Sequence, residues 1–264
     1  MIDLILKIDE IHERFRTASS DISLFVSDVQ RGFKFLARQH EQLTGKLNPQ
    51  AEESSQALQR TPGEELVTIK VSRKELSLLQ KVMHWKSDRM KAYPKLLLSM
   101  SFIYFVAAFD AFLADALGAV LLYRPEMLRS SKKQLSYEAI ISFANREDLV
   151  GHMAARELNE VGYWPVKAQW TYYYERFGID LTASPVSLEK VVEMVAGRNI
   201  LVHNNGIVNE IYIAAVPATK LSRGDTFEIS EALWLDFSDD LSKLALHCRN
   251  SLVEKFAKAP VKRR

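Results

Sequence analysis

Residues 198–206 of this 264-residue chain are Arg-Asn-Ile-Leu-Val-His-Asn-Asn-Gly, and they close a run with helical patterning. The run opens at Ser184-Pro185, where a serine that caps helix starts precedes a proline that a first turn tolerates. The closing Asn-Asn-Gly of residues 204–206 is a typical helix stop. We therefore predict one helix of roughly five turns between these two signals.

On a helical wheel at about 100° per residue, the predicted helix carries an apolar stripe. Its members are Leu188, Val191, Val192, Val195 and Val202. Asn199 falls in the middle of the stripe, with Arg198 at one edge and His203 at the other. A guanidinium, an amide and an imidazole are therefore expected around one partly desolvated patch.

These three groups are the components of phosphodiester chemistry without a metal. An imidazole moves a proton near neutral pH, and a guanidinium binds a phosphate through two parallel hydrogen bonds. An amide can orient either group. The same residue types also cap helices and line their rims, so spacing alone leaves a purely structural role open.

The pattern Arg, polar residue, three residues, His, late in a helix of an all-α domain, resembles the signature of the HEPN superfamily. The resemblance covers residues 75–258 in helical organisation, and residues 198–206 one by one. It implies a metal-independent endoribonuclease, or a non-catalytic relative, whose two motifs meet across a homodimer. It also implies that Arg198 and His203 carry the catalysis and that Asn199 supports them.

The resemblance has implications for partners as well. Many HEPN proteins are toxins or antiviral defence RNases, so we expect RNA as the substrate and a possible antitoxin or defence-system partner protein. No cofactor and no metal ligand are expected. Asp110 and Asn204 are added as supporting site residues, Asp110 because an acidic or polar residue in the helix before the motif helix is frequent in this family.

The position of Asp110 in the sequence also indicates a role for it, independently of the resemblance. It lies in the apolar run 96–123, among Phe105, Phe109, Phe112 and Leu113. A buried ionised carboxylate needs a cationic or hydrogen-bonding partner, and Arg198 is the candidate. The alternative is a carboxylate satisfied by backbone amides or by solvent.

Composition limits the remaining possibilities. Lys and Arg number 35 against 33 Asp and Glu, a net charge of +2, so any RNA binding must be local. A single cysteine, Cys248, excludes an internal disulfide and a cysteine-built zinc site, which fits a reducing cytoplasm. Two acidic residues, Asp110 and Asp115, interrupt the apolar run 96–123, which favours a core helix over a membrane span.

Apolar residues recur with heptad spacing near the start of the chain, which predicts a long N-terminal helix over residues 1–47. They are Leu4, Ile8, Ile11, Phe15, Ala18, Ile22, Phe25 and Val29. Such a seam could pair with a second copy or fold back on its own domain. Residues 48–65 are polar with two prolines and are predicted to be a linker, and residues 66–264 the HEPN-like domain.

Within that domain we predict a weak strand at 66–71, a helix from about residue 73 that Pro94 ends or bends, a small hairpin at 221–229 and a last helix at 230–258. Residues 163–177 are dense in aromatic side chains. These could stack single-stranded bases, or form core or dimer interface. The whole is an all-α, HEPN-like helical bundle with at most a minor β-hairpin.

Two functions follow from this sequence. One is a metal-independent endoribonuclease that cleaves RNA by attack of the ribose 2′-hydroxyl, with His203 as base and Arg198 as phosphate stabiliser. The other is a non-catalytic HEPN-like module for dimerisation or partner binding.

Overall fold

A computed structural model describes residues 2–46, 73–129 and 133–257, and these residues are almost entirely helical. The helices are α1 (Ile2–Lys46), α2 (Arg73–Tyr123), α3 (Tyr137–Ile141), α4 (Arg146–Gly162), α5 (Val166–Phe177), α6 (Leu188–His203), α7 (Glu210–Ala215) and α8 (Glu231–Ala257). Two short 3-10 turns lie at Pro125–Leu128 and Leu181–Ala183. The all-α prediction is confirmed for the described residues, none of which belongs to a β-strand.

The predicted hairpin at 221–229 is wrong, because this segment pairs with another part of the chain. Ile207 and Thr226 form one isolated antiparallel bridge. The Phe227 N–H donates to the Gly206 carbonyl at 2.8 Å, and the Val208 N–H donates to the Asp225 carbonyl at 2.9 Å. The segment after α6 therefore takes the hydrogen bonds that a second hairpin strand would have used.

Contacts divide the chain into two compact units, one of 1–23 with 98–264 and one of 24–97. The cuts fall inside the two long helices, α1 and α2. The segment 48–65, predicted as a linker, and the strand predicted at 66–71 lie outside the described residues.

In the first unit, the start of α1 folds back on α2 of the same chain. Ile8 and Ile11 are buried, and the ring of Phe15 lies 5.9 Å from that of Phe105 and 5.4 Å from that of Phe112. Of the two arrangements that the heptad seam left open, this half of it adopts the intramolecular one.

The predicted seam is wrong in its second half. In the second unit Val26 and Gln30 are buried, whereas Phe25 is 58% exposed. An ideal α-helix drifts by roughly 20° per heptad against a 3.5-residue repeat. Over several heptads this drift moves the buried face from the predicted positions to their neighbours.

Helix α2 continues through Pro94, so of the two predicted effects of this proline, ending the helix is the wrong one. Its segment Ala92–Tyr123 is long and apolar enough to cross a membrane, judged by length and composition only, and 44% of its most apolar window is buried within the protein. One face packs into the core of the first unit, through Phe102, Phe105, Val106, Phe109, Phe112, Leu113, Leu117 and Leu121.

Helix α8 is close to its predicted range of 230–258. Its buried side chains are Trp234, Phe237, Leu241, Leu244, Cys248, Leu252 and Phe256. Leu235 and Leu246 of the same helix are 57% and 48% exposed. The ring of Phe237 lies 5.2 Å from that of Phe102, which joins α8 to α2 in one core.

Candidate functional site

The motif helix α6 begins later than the sequence predicts. Ser187 is its cap, and its hydroxyl oxygen accepts a hydrogen bond from the Lys190 N–H at 3.3 Å. Ser184 instead has extended backbone, at φ −75° and ψ 148°, which is the conformation favoured before a proline. The helix therefore spans 16 residues, about four and a half turns.

The predicted stop after the motif is confirmed. The N–H groups of Asn204 and Gly206 both donate to the Ile200 carbonyl at 2.9 Å, and Asn205 and Gly206 have positive φ values of 51° and 76°. The Asn204 side-chain amide donates to the Ile207 carbonyl at 2.5 Å. This amide therefore fixes the turn that follows the motif.

The buried face of α6 is rotated from the predicted stripe. It consists of Val191, Met194, Gly197 and Ile200, whereas Val202 is 47% exposed. A Cβ atom added to Gly197 would lie 2.7 Å from Cζ of Phe227, so the absence of a side chain allows this ring to pack against the helix. The stripe was placed by its valines, and a glycine that belongs to the core carries no apolar signal.

Val192, Val195 and Asn199 instead face a large open cavity in the first unit, with a volume of about 1920 Å³. Helices α1, α2, α4, α5, α6 and α7 all contribute to its walls. The five site residues predicted from the sequence, Arg198, Asn199, His203, Asn204 and Asp110, all line this cavity.

The predicted pairing of Asp110 with Arg198 is present. The Nη2 atom of Arg198 donates to Oδ2 of Asp110 at 3.0 Å. The Nε–H of the same guanidinium is buried and has no hydrogen-bond acceptor in the described structure. The guanidinium is therefore held through its Nη2 atom, and its remaining N–H groups can donate to a further acceptor.

The Asp110 carboxylate is under two opposing influences. Its side chain is 49% exposed, but it stands in a concave wall where protein atoms replace much of its hydration. This desolvation raises the pKa of Asp110 above its usual range, and the charge and hydrogen bond of Arg198 lower it by less. The ion pair therefore positions Arg198 at some cost to the ionised carboxylate.

Asn199 and His203 are exposed, and their side chains have no hydrogen-bond partner in the described part of the chain. They lie one turn apart on α6 and so share a face. Arg198 and His203 are separated by about 140° around the axis and about 7.5 Å along it. Both still reach the same cavity because its opening extends across the last turns of the helix.

The charges around the cavity nearly balance. The basic side chains in its walls are Lys7, Arg14, Lys167 and Arg198, and the acidic ones are Asp3, Asp110 and Asp115. Nη2 of Arg14 contacts Oδ2 of Asp115 at 3.3 Å. The local field is therefore weakly positive.

One contribution to the cavity went unassigned in the sequence, the wall from α1. Contacts between residues so distant in sequence leave no local pattern. The aromatic segment does carry a signal, and the structure confirms a core role for part of it. Trp170, Tyr173 and Phe177 are buried, whereas Tyr163 and Trp164 are 85% and 36% exposed at the cavity.

In the described residues, no three His, Cys, Asp or Glu side chains are grouped to hold a metal ion. Comparison with protein-family models, curated proteins and solved structures found no significant match to the chain.

Proposed function

We propose that this protein is a cytoplasmic, metal-independent endoribonuclease of the HEPN type, acting as a toxin or an antiviral defence RNase. The observation that supports it is that Arg198 and His203 line one cavity, with Arg198 oriented by Asp110. A positioned cation and an unpartnered imidazole beside a space large enough for a substrate are what proton transfer and phosphate stabilisation require.

In the proposed reaction, His203 accepts the proton of a ribose 2′-hydroxyl, and the 2′-oxygen attacks the adjacent phosphorus. The bond from phosphorus to the 5′-oxygen breaks, leaving a 2′,3′-cyclic phosphate and a 5′-hydroxyl. Arg198 stabilises the negative charge that grows on the phosphoryl oxygens. Asn199, one turn from His203, orients the imidazole or the substrate.

The leaving 5′-oxygen needs a proton, and a second copy of the chain would supply it. In a homodimer with both α6 helices at one groove, the imidazole of one copy acts as the base and that of the other as the acid. The second Arg198 also strengthens a field that is weak around one cavity. A protein partner that blocks the groove would silence such an enzyme.

The test is to incubate the purified protein with end-labelled RNA in EDTA. We expect cleavage by the wild type and no cleavage of DNA of the same sequence, which lacks the 2′-hydroxyl. His203→Ala and Arg198→Ala should each lose roughly a hundredfold or more in rate, and Asn199→Ala should lose less.

Matched controls separate chemistry from damage to the fold. His152 and Arg223 lie outside the cavity, so His152→Ala and Arg223→Ala should cleave at the wild-type rate. Cleavage that requires a divalent metal, persists in His203→Ala or acts equally on DNA would rule out the proposed mechanism.

The second candidate is a non-catalytic HEPN-like module for dimerisation or partner binding. The near balance of charge around the cavity and the exposed apolar side chains in its walls favour it, because a phosphate backbone is bound mainly by cations. Absence of cleavage together with a stable dimer would favour this candidate over the enzyme.

A further inference from the structure

Tyr163 and Trp164 form an aromatic pair at the edge of the cavity. They occupy the turn between α4 and α5, and both line the same cavity as Arg198 and His203. The Tyr163 side chain is 85% exposed and that of Trp164 is 36% exposed. Two neighbouring aromatic side chains exposed at a concave surface offer ring faces to a ligand that enters the cavity.

Trp164 is held in place by contacts with α5. The Gln169 side-chain amide donates to the Trp164 carbonyl at 2.8 Å and to the Gly162 carbonyl at 3.2 Å. The ring of Trp164 meets that of Tyr172 edge to face at 5.7 Å, and the Tyr172 hydroxyl donates to Glu157 at 2.8 Å. These contacts fix the backbone and the ring of Trp164, so little ordering entropy would be lost on binding.

Lys167 stands next to this pair and differs from the other basic side chains of the cavity. Arg198 and Arg14 are paired with acidic side chains of the cavity wall, and Lys7 is paired with Glu10. Lys167 is exposed and has no ion pair in the described structure. Its charge is therefore available to an anion that enters beside the aromatic rings.

We propose that Tyr163 and Trp164 form a stacking subsite for one unpaired RNA base, with Lys167 binding the phosphate beside it. The inference rests on the proposed endoribonuclease function and narrows its substrate class to single-stranded or looped RNA. In a duplex the base faces are already stacked, whereas an unpaired base can add its face to an aromatic ring. Stacking tolerates any base, so the subsite selects strandedness more than sequence.

An abasic scan tests this subsite. The substrates are short single-stranded DNA oligonucleotides with one ribonucleotide, so that the 2′-hydroxyl fixes the point of cleavage. Each carries an abasic site at a different position on either side of that linkage, and kcat/KM is measured for each. At one position we expect removal of the base to lower kcat/KM roughly tenfold to a hundredfold, the effect of one lost stack.

Protein variants then tie that position to the aromatic pair. Trp164→Ala should lower kcat/KM on the intact substrate by a similar factor, and removal of the base should then have no further effect. Trp164→Phe should keep most of the wild-type rate. Tyr163→Ala should show a smaller loss in the same direction. Tyr174→Ala, which removes a 58% exposed ring outside the cavity, should behave as wild type. Lys167→Gln should reduce the slope of log kcat/KM against log salt by about one.

The outcomes separate the subsite from the enzyme. If the wild type cleaves the substrates and Trp164→Ala responds to abasic sites as the wild type does, the subsite is wrong and the endoribonuclease remains. If neither cleavage nor binding of these oligonucleotides is seen, both proposals fail. Loss of dimer mass in folded Trp164→Ala, with abasic sensitivity unchanged, would assign the ring to a protein interface instead. Should Trp164→Ala not fold, Tyr163→Ala decides the question, because its loss and its reduced response to the abasic site are expected only if the subsite exists.

Discussion

The carboxylate of Asp110 orients Arg198, and its burial in the cavity wall is unfavourable to its charge. The second effect can be measured by experiment. Ionisation is opposed by desolvation in the cavity wall and assisted by Arg198, and desolvation has the larger effect. The side chain therefore orients the guanidinium, although its ionised form is less favoured in the folded protein than in the unfolded chain.

This balance predicts the pH dependence of an Asp110→Asn variant. Since the pKa of Asp110 is raised in the folded protein, the native state binds a proton more readily than the unfolded chain does above pH 3.8. The stability that wild type has relative to Asp110→Asn should therefore fall as pH rises from the usual pKa through the raised one. Denaturant unfolding of both proteins from about pH 3 to pH 7 measures it. A difference that grows with pH would mean that the ion pair outweighs desolvation.

The pairing could be predicted from the sequence because an acid inside an apolar run has few ways to be satisfied, and Arg198 was already singled out by the motif. The geometry of the ion pair could not be predicted from the sequence. That Arg198 is held through one nitrogen, with Nε–H buried and unpartnered, depends on side-chain packing that no spacing encodes.

At the scale of elements, the packing of α6 depends on a glycine. The rings of Phe227 and Tyr212 lie 5.6 Å apart, and Phe227 occupies the space that a Cβ on Gly197 would need. This contact sets the rotation of α6, and with it the direction in which Arg198, Asn199 and His203 face.

Two glycine substitutions in helices should consequently have opposite effects. Gly197→Ala should lower the free energy of unfolding by about 1–3 kcal/mol, because the new methyl group overlaps Phe227. Gly151→Ala in α4, where no atom lies within 4 Å of the added Cβ, should raise it by about 0.5–1 kcal/mol through helix propensity. Urea unfolding of the two variants gives both values. If both variants were stabilised equally, the Phe227 ring would have to move away from the new methyl group at little energetic cost.

The elements show what periodicity can and cannot supply. Helices α1 and α8 lie close to their predicted bounds because amphipathic patterns of that length are distinctive. Their buried faces were less predictable. Phe25 matches the heptad pattern and yet is exposed, since the drift of a 3.6-residue helix and the position of its neighbours decide which face is covered.

At the scale of the whole molecule, the main feature is the cavity, which bears on both substrate binding and self-association. Its walls join residues as distant in sequence as Lys7 and Lys167, so no local pattern could have revealed it. They also carry exposed apolar side chains, among them Leu122 at 53% and Ile211 at 79% exposure. A concave apolar surface of this kind fits association with a second copy of the chain.

We therefore expect a homodimer, about twice the 30.1 kDa of one chain, by light scattering at micromolar concentration. Ile211→Lys should shift the mass towards the monomer, because it places a charge on the apolar wall. Ile141→Lys is the matched control, since Ile141 is equally exposed, at 80%, and lies outside the cavity. A wild-type monomer would remove the composite active site and leave no second imidazole to act as the acid.

The chemistry of the product ends tests the central claim most directly. RNA with a single 2′-deoxy substitution at the cleaved linkage is compared with the all-ribose strand, in EDTA, and the products are identified by mass spectrometry. If His203 activates the 2′-hydroxyl, the all-ribose strand should yield a 2′,3′-cyclic phosphate and a 5′-hydroxyl, and the substituted strand should stay intact at that linkage. Cleavage of the substituted linkage, or a 5′-phosphate product, would contradict the account.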